Sequence, residues 1–332
     1  MAMYHGVSAA PTIALCVLAL LTLGVVMISS ADMAVSPLGA DTPAEPVTLR
    51  SILTSQPARY MGLALLAFTI GWAIPVTRLA DRLATPAEPH LPKTARLEVW
   101  LLAGATLALL AVVASVYIPG LGKSVNGAFR WIEIAGNRAQ PSEIAKWAVP
   151  ALLAWWCARR AALMPSFIRG TAPAMLAVGL IAGLIILEDL GTGALIVAVA
   201  GITMLAAGTR VMHFVMFLPL AAVGIVAAII TSPYRVQRLL TFMDPYADPQ
   251  GTGYHMLQSL TTIAGGGPFG RGLGHGLQKF GYLPEDTTDF LFAVICEELG
   301  IAGAAIVCAL YALLLATILG ITLRQTRPAL KL

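Results

Sequence analysis

Over its 332 residues this chain is 58% hydrophobic and only 11% charged, with a mean hydropathy of +0.81. Soluble domains carry about 25% charged residues, so a water-soluble fold is excluded and the chain belongs in a bilayer. The net charge of +4 reports the placement of loops, as argued below, and lends no support to nucleic-acid binding.

A membrane helix needs about 20 mostly apolar residues. Eight stretches qualify, at roughly 11–30, 57–77, 97–118, 142–158, 171–187, 191–209, 212–232 and 290–320. These long runs lack the alternation of barrel strands. The predicted fold is therefore all-α, a polytopic transmembrane helical bundle of about eight spans forming a single integral membrane domain over residues 1–332. In the first run Ser29-Ser30-Ala31 resembles a signal-peptidase site. No Lys or Arg precedes it, however, so the run reads as an uncleaved span. Segments 78–98, 159–170, 210–213 and 321–332 hold eleven of the 21 basic residues against three acids, whereas the rest of the chain has ten bases and fourteen acids. These basic loops alternate along the chain, which places them, and both termini, in the cytoplasm. Cys16, Cys157, Cys296 and Cys308 fall in or beside apolar runs without metal-ligand spacing and read as packing residues.

Three segments assigned to the outer side depart from plain apolar helix. In 119–146, Pro141 is placed to open the fourth span, and Glu143 and Lys146 then share a face. That pair is either an ion pair neutralised at the membrane edge or has one member turned to a polar cavity. Glu188-Asp189-Leu190-Gly191-Thr192 is either a plain turn or two acids held near the interface with a function. The third segment, 233–289, is a long extracytoplasmic loop, and loops beyond about 15 residues are usually functional or disordered. Its aromatics and regular apolar residues argue against disorder. Residues 254–264 have helical periodicity but are too short to span, as in a re-entrant or interfacial helix. The glycine run 265–276 lacks the context of a dinucleotide fingerprint or Walker loop. It reads either as a hinge or as backbone amides which, with Arg271 and Lys279, face an anionic headgroup. Asp289 sits where this loop enters the last apolar run. An ionisable group at that depth is costly and marks a site by default.

Taken in order, the three segments resemble the SEDS family of glycosyltransferases (shape, elongation, division and sporulation; the RodA, FtsW and SpoVE type). Asn126-Gly127-Ala128-Phe129-Arg130-Trp131 and Gln140-Pro141-Ser142-Glu143 are similar to its Asn-Gly-Ala-Arg-Arg-Trp and Gln-Pro-Ser-Glu signatures. Asp189-Leu190-Gly191-Thr192 resembles the end of its Gln-Pro-Asp-Phe-Gly-Thr motif. The likeness continues through Asp244-Pro245, Gly253-Tyr254, Gln258-Ser259, Lys279, Leu283-Pro284-Glu285, Thr288-Asp289-Phe290 and Glu297-Glu298-Leu299-Gly300. Phe129 stands where the family has the first arginine of a pair, Leu187-Glu188 where it has Gln-Pro, and Thr287 where it has a histidine. The resemblance implies ten spans. The last two, with the family's Ser-Tyr-Gly-Gly-Ser-Ser stretch, have no counterpart here.

The resemblance further implies polymerisation of lipid II into peptidoglycan outside the bacterial cytoplasmic membrane, beside a class B penicillin-binding protein that crosslinks the strands. It puts Asp289 at the catalytic aspartate position. A carboxylate there can take the proton of the acceptor sugar hydroxyl, and nearby cations can stabilise the departing pyrophosphate. The candidate substrate-binding residues are Arg130, Lys279, Arg271, Asp189, Glu143 and Lys146, with Arg235 and Arg238 as further cations on that side. No cofactor is called for, although a divalent cation suits pyrophosphate. Glu297 and Glu298, roughly 12 Å further along a helix, are expected to make buried structural contacts. Two other functions stay open: a flippase for the lipid-linked precursor, and a silent scaffold for the transpeptidase. Concentration of the polar and glycine-rich features on one side favours the enzyme.

Overall fold

A computed structural model describes residues 9–31, 55–75, 78, 92–125, 128–134, 137–277, 283 and 287–324. Its helices, in chain order among the described residues, are α1 (Ala9–Ala31), α2 (Gln56–Ala73), α3 (Pro92–Ala114), α4 (Pro141–Arg159), α5 (Ala172–Glu188), α6 (Leu190–Ala206), α7 (Met212–Val215), α8 (Leu218–Ile230), α9 (Pro233–Met243), α10 (Tyr254–Gly265) and α11 (Leu291–Arg324). Among the described residues, five helical stretches are long and apolar enough to cross a membrane: Ala9–Ala31, Arg96–Tyr117, Phe167–Glu188, Val211–Ile230 and Leu291–Arg324. The other three expected spans are also helices, α2, α4 and α6, of 18, 19 and 17 residues. This is a polytopic helical membrane protein. Its chain groups into two compact units, one of residues 1–74 and 233–323, the other of residues 75–232 and 324–332.

In the second unit α3, α4, α5 and α6 pack on one another around Trp156, Leu153, Ile181, Ile196 and Met204. Lipid is as apolar as leucine, so such packing relies on small residues that let backbones approach. At Gly193 of α6 an added Cβ would collide with Ile186 and lie 3.2 Å from the Ala182 carbonyl. A single residue, Asp189, joins α5 to α6 and serves as the cap of both.

One polar knot holds the edge of this unit. Glu98 is 3% exposed; its Oε1 accepts from Arg159 Nε at 2.6 Å and its Oε2 from Arg160 Nε at 3.1 Å. The Arg160 guanidinium stacks 4.2 Å from the Trp156 ring, and the Trp156 indole N–H donates to the Gly170 carbonyl at 2.9 Å. By charge count these residues read as loop charges; packing makes them interior. Removing one charge from such a group strands the others. Glu98→Gln is expected to cost about 1–3 kcal/mol, seen as a lowered melting temperature in detergent, whereas Lys123→Gln in the half-exposed Lys123–Glu133 pair (3.1 Å) should cost under about 1 kcal/mol.

The segment between α3 and α4 holds a sheet that the helical reading did not foresee. Strands β1 (Gly122–Val125), β2 (Ala128–Ile134) and β3 (Asn137–Ala139) form an antiparallel meander in the order β1-β2-β3. Gly122 pairs with Ile132 and Lys123 with Trp131, the register shifts at Lys123/Ser124, and Ile132 pairs in turn with Ala139. Aromatic and β-branched residues in Phe129-Arg130-Trp131-Ile132-Glu133-Ile134 favour a strand.

In the first unit α1 packs on α2, and Met27 and Ala31 of α1 share a core with Leu283, Ala293, Val294, Ile295 and Val307. The eighth expected span is not one continuous helix. Gly300 adopts φ 68°, ψ −165° and divides α11 into Leu291–Leu299 and a long second part. A break within a membrane helix frees backbone groups that must find partners inside the protein. The glycine run supplies them. Arg271 N–H donates to the Glu297 carbonyl and Gly272 N–H to that of Glu298, both at 2.9 Å; Ile301 N–H donates to the Gly267 carbonyl at 3.0 Å and Ala302 N–H to that of Pro268 at 3.2 Å. Positive φ at Gly267, Gly270, Gly272 and Gly274 allows the chain to fold against the break.

Candidate functional site

Asp289 belongs to the first unit, in the turn 287–290 immediately before α11, and is exposed. Helix packing anchors this turn from both sides. Leu283 is buried in the core with Ala293 and Val294, and Phe290 packs against that core. The Phe290 ring also lies 6.2 Å from the His255 ring of α10, which in turn meets Tyr254 edge-on. His255 thus touches the residue that follows the candidate base, a neighbour that sequence reasoning passed over. Its signal was an imidazole in the short helix expected over 254–264. A carboxylate in this position is accessible, set at a packed helix entrance, and able to accept a proton from a hydroxyl brought to it.

Arg271 of the same unit faces partly inward: its Nε lies 3.6 Å from Glu297 Oε1 and donates to the Gly265 carbonyl at 3.2 Å, while 39% of its side chain stays exposed. Of the two readings of the glycine run, the one in which its amides face an anionic headgroup does not hold for Arg271, Gly272 and Gly274, and Leu277 just beyond the run is also engaged. Those N–H groups donate to the Glu297 and Glu298 carbonyls, Ser30 Oγ and Glu297 Oε1. Glu297 and Glu298 are buried, as anticipated. Lys279 and Glu285 lie outside the described residues, as do Asn126 and Gly127. Arg238, on α9, stacks 5.2 Å over the Tyr234 ring.

The second unit assembles Arg130, Glu188 and Asp189 at the α5–α6 turn. The strand β2 carries Arg130, whose Nε donates to the Glu188 carbonyl at 2.9 Å. The Glu188 carboxylate accepts from Tyr117 Oη at 2.9 Å and from the Phe129 N–H at 2.7 Å. Phe129 therefore secures the hairpin through its backbone, independently of its departure from the family's arginine. Glu188, at another departure, is the hub. Asp189 accepts from Thr192 N–H at 3.0 Å and Thr192 Oγ1 at 2.9 Å. A cavity of about 20 Å³ lies among Tyr117, Phe129, Arg130, Ser142, Glu188 and Asp189, room for about one water. Glu143 and Lys146 form an ion pair at 2.7 Å on α4, about half and one-third exposed. Both readings of that pair retain their basis, since it is neutralised yet open to solvent.

Asp189 stands between two spans and titrates in an informative way. Partial burial pushes its carboxyl up, but the Thr192 hydrogen bonds, the Arg130 charge and the Gly191 amide outweigh this and hold it below the usual carboxylate range. A depressed folded value contributes stability above the unfolded value, and that contribution is lost as pH falls through the folded one. Asp189→Ala is accordingly expected to cost about 1 kcal/mol at neutral pH through the lost helix cap. The gap from wild type should narrow as pH drops below the carboxylate range, as read from melting curves at matched ionic strength.

Comparison with known proteins places this geometry. The profile of the FtsW/RodA/SpoVE family, described as cell cycle protein, matches residues 11–332. Stage V sporulation protein E of Bacillus subtilis is 41% identical over 202 residues, covering 60% of this chain and 55% of that protein. The probable peptidoglycan glycosyltransferase FtsW of Coxiella burnetii is 34% identical over 310 residues, covering 92% and 76%. That of Allochromatium vinosum is 33% identical over 301 residues, covering 90% and 69%. The chain thus spans between about half and three-quarters of the length of these relatives. Among solved structures, a chain of a peptidoglycan synthase complex coordinating polymerization and crosslinking matches with TM-score 0.58 at 25% identity, over 96% of this chain and 79% of that one. The rod shape determining protein RodA of Thermus thermophilus shares the fold, with TM-score 0.52 at 22% identity over 96% and 77%. With nearly the whole chain matched by the family profile and ordered motifs that fit it, this multi-pass membrane protein belongs to the FtsW/RodA/SpoVE (SEDS) family of cell cycle proteins.

Proposed function

We propose that this chain polymerises lipid II into glycan strands at the outer face of the bacterial cytoplasmic membrane, with Asp289 as the general base. The carrying observation is the accessible Asp289 carboxylate on a turn whose Phe290 packs into the core at the entrance of a membrane helix. In the reaction, Asp289 takes the proton of the acceptor sugar hydroxyl, whose oxygen forms a bond to the anomeric carbon of the donor. The bond from that carbon to pyrophosphate breaks, and undecaprenyl pyrophosphate departs. Basic side chains compensate the charge that develops there, and arginine suits bidentate contact with phosphate. The exposed part of Arg271, in the same unit as Asp289, is the described candidate, with Arg130 and Lys279 further ones from the sequence motifs. Asp189, Glu143 and Lys146 serve substrate placement. Both termini face the cytoplasm in this reading, and a class B penicillin-binding protein crosslinks the product. The names of the relatives and of the synthase-complex neighbour support it.

The test is the purified chain with its transpeptidase partner in detergent or liposomes, supplied with lipid II. Glycan strands are the expected product. Movement of the precursor across the bilayer without strands would replace this reading with a flippase, and partner binding without either activity would replace it with a scaffold.

A further inference from the structure

We propose that a single hard monovalent cation, Na+, is held between the carboxylates of Glu297 and Glu298 at the break in α11. The glycosyl-transfer reading makes no use of this site, and the site does not depend on that reading.

Glu297 and Glu298 end the short half-helix Leu291–Leu299, and they are 1% and 2% exposed. Glu297 Oε1 accepts from Leu277 N–H at 3.0 Å and lies 3.6 Å from Arg271 Nε. Its other oxygen, Oε2, is enclosed and has no hydrogen-bond partner among the described residues. Both oxygens of Glu298 meet one hydroxyl, Ser30 Oγ, at 3.0 and 2.7 Å, and that hydroxyl also accepts from Gly274 N–H at 3.0 Å. Arg271 is the one cationic side chain in ion-pair range of either carboxylate among the described residues. Among the described residues, two buried carboxylates face one guanidinium, one positive charge short of balance. Burying the surplus negative charge unpaired is far costlier than satisfying it.

The two carboxylates meet beside Gly276, which is itself buried. A Cβ built on Gly276 would lie 3.0 Å from Glu297 Oε2 and 3.1 Å from Glu298 Oε1. The orphaned oxygen and its neighbour's carboxylate therefore both approach the same face of Gly276, so closely that any side chain there would crowd them. Position in the fold adds to this. The C-terminal end of a helix carries partial negative charge, and the C-terminal ends of broken membrane helices are recurrent places for Na+. One monovalent ion balances the charge.

The experiment follows thermal unfolding of the full chain in detergent as NaCl replaces choline chloride at constant ionic strength, with 22Na+ binding measured in parallel. The wild type is expected to bind one Na+ per chain and to gain on the order of 3 °C in melting temperature, saturably. Gly276→Ala puts a methyl group against both carboxylates without needing a left-handed backbone. It is expected to lose at least tenfold in Na+ affinity and with it the Na+-dependent rise, whatever its melting point in choline. A wild type indifferent to the exchange, as a proton shared by the two carboxylates would make it, overturns the proposal. So does a response to Mg2+ with none to Na+, or a Gly276→Ala variant with the full wild-type response.

Discussion

Asp289→Asn is expected to abolish lipid II polymerisation, a loss of at least about 100-fold and up to about 10⁴-fold, the range a positioned acid–base group contributes. The amide keeps the shape of the carboxylate and its acceptor oxygen but cannot carry away the acceptor's proton. The side chain is exposed in the turn before α11, so the substitution should leave the melting temperature within the scatter typical of surface changes, about ±0.5 kcal/mol. Binding of the transpeptidase partner should also persist. Loss of polymer with unchanged melting and partner binding isolates the chemistry. Polymer at wild-type rate in this variant removes Asp289 from the mechanism, whatever the family relation.

The largest expected structural effect belongs to Gly300→Val. At φ 68°, ψ −165° the backbone lies in a region that is essentially glycine-only, with a strain cost of about 1–3 kcal/mol for other residues. A Cβ would also stand 2.6 Å from the Phe269 amide nitrogen and 2.6 Å from the Pro268 carbonyl oxygen. These are backbone atoms, fixed by the same hydrogen bonds that satisfy the break, and they cannot swing aside as a side chain would. Strain and overpacking together should cost about 3–5 kcal/mol, seen as collapse of the folded yield in detergent. Gly320→Ala is the control. It lies in the same helix with nothing within 4 Å of an added Cβ, and should be neutral or slightly stabilising through helix propensity. Equal melting of the two variants would show that α11 tolerates straightening.

The span pattern was legible because it depends only on local composition. Runs near Ala9–Ala31 and Val211–Ile230 are apolar enough to be read without knowing their neighbours. The opening of α4 at Pro141 was legible for a similar reason, since the ring fixes φ at a position whose N–H has no helical partner. Asp289 stood out because charge is scarce at a membrane edge. The meander of β1, β2 and β3 was less visible. Its strands are short, and its register depends on pairing between residues such as Gly122 and Ile132. The break at Gly300 was not read, because a lone glycine is tolerated inside a helix and the groups that satisfy the break come from the separate glycine run.

Taken alone, the order of the residues determined which segments enter the bilayer, which family the chain resembles, and where a base could stand. Those follow from transfer free energy and from short contiguous motifs, which are local properties. Tertiary structure decided which charges are spent internally. Glu188 is taken by Tyr117 and the β2 backbone, Arg271 is partly turned to Glu297, and Glu98 binds two arginines. The physical reason is that a buried charge has no water to fall back on. Its role is set by whichever partner the fold brings within about 3 Å, often from more than fifty residues away.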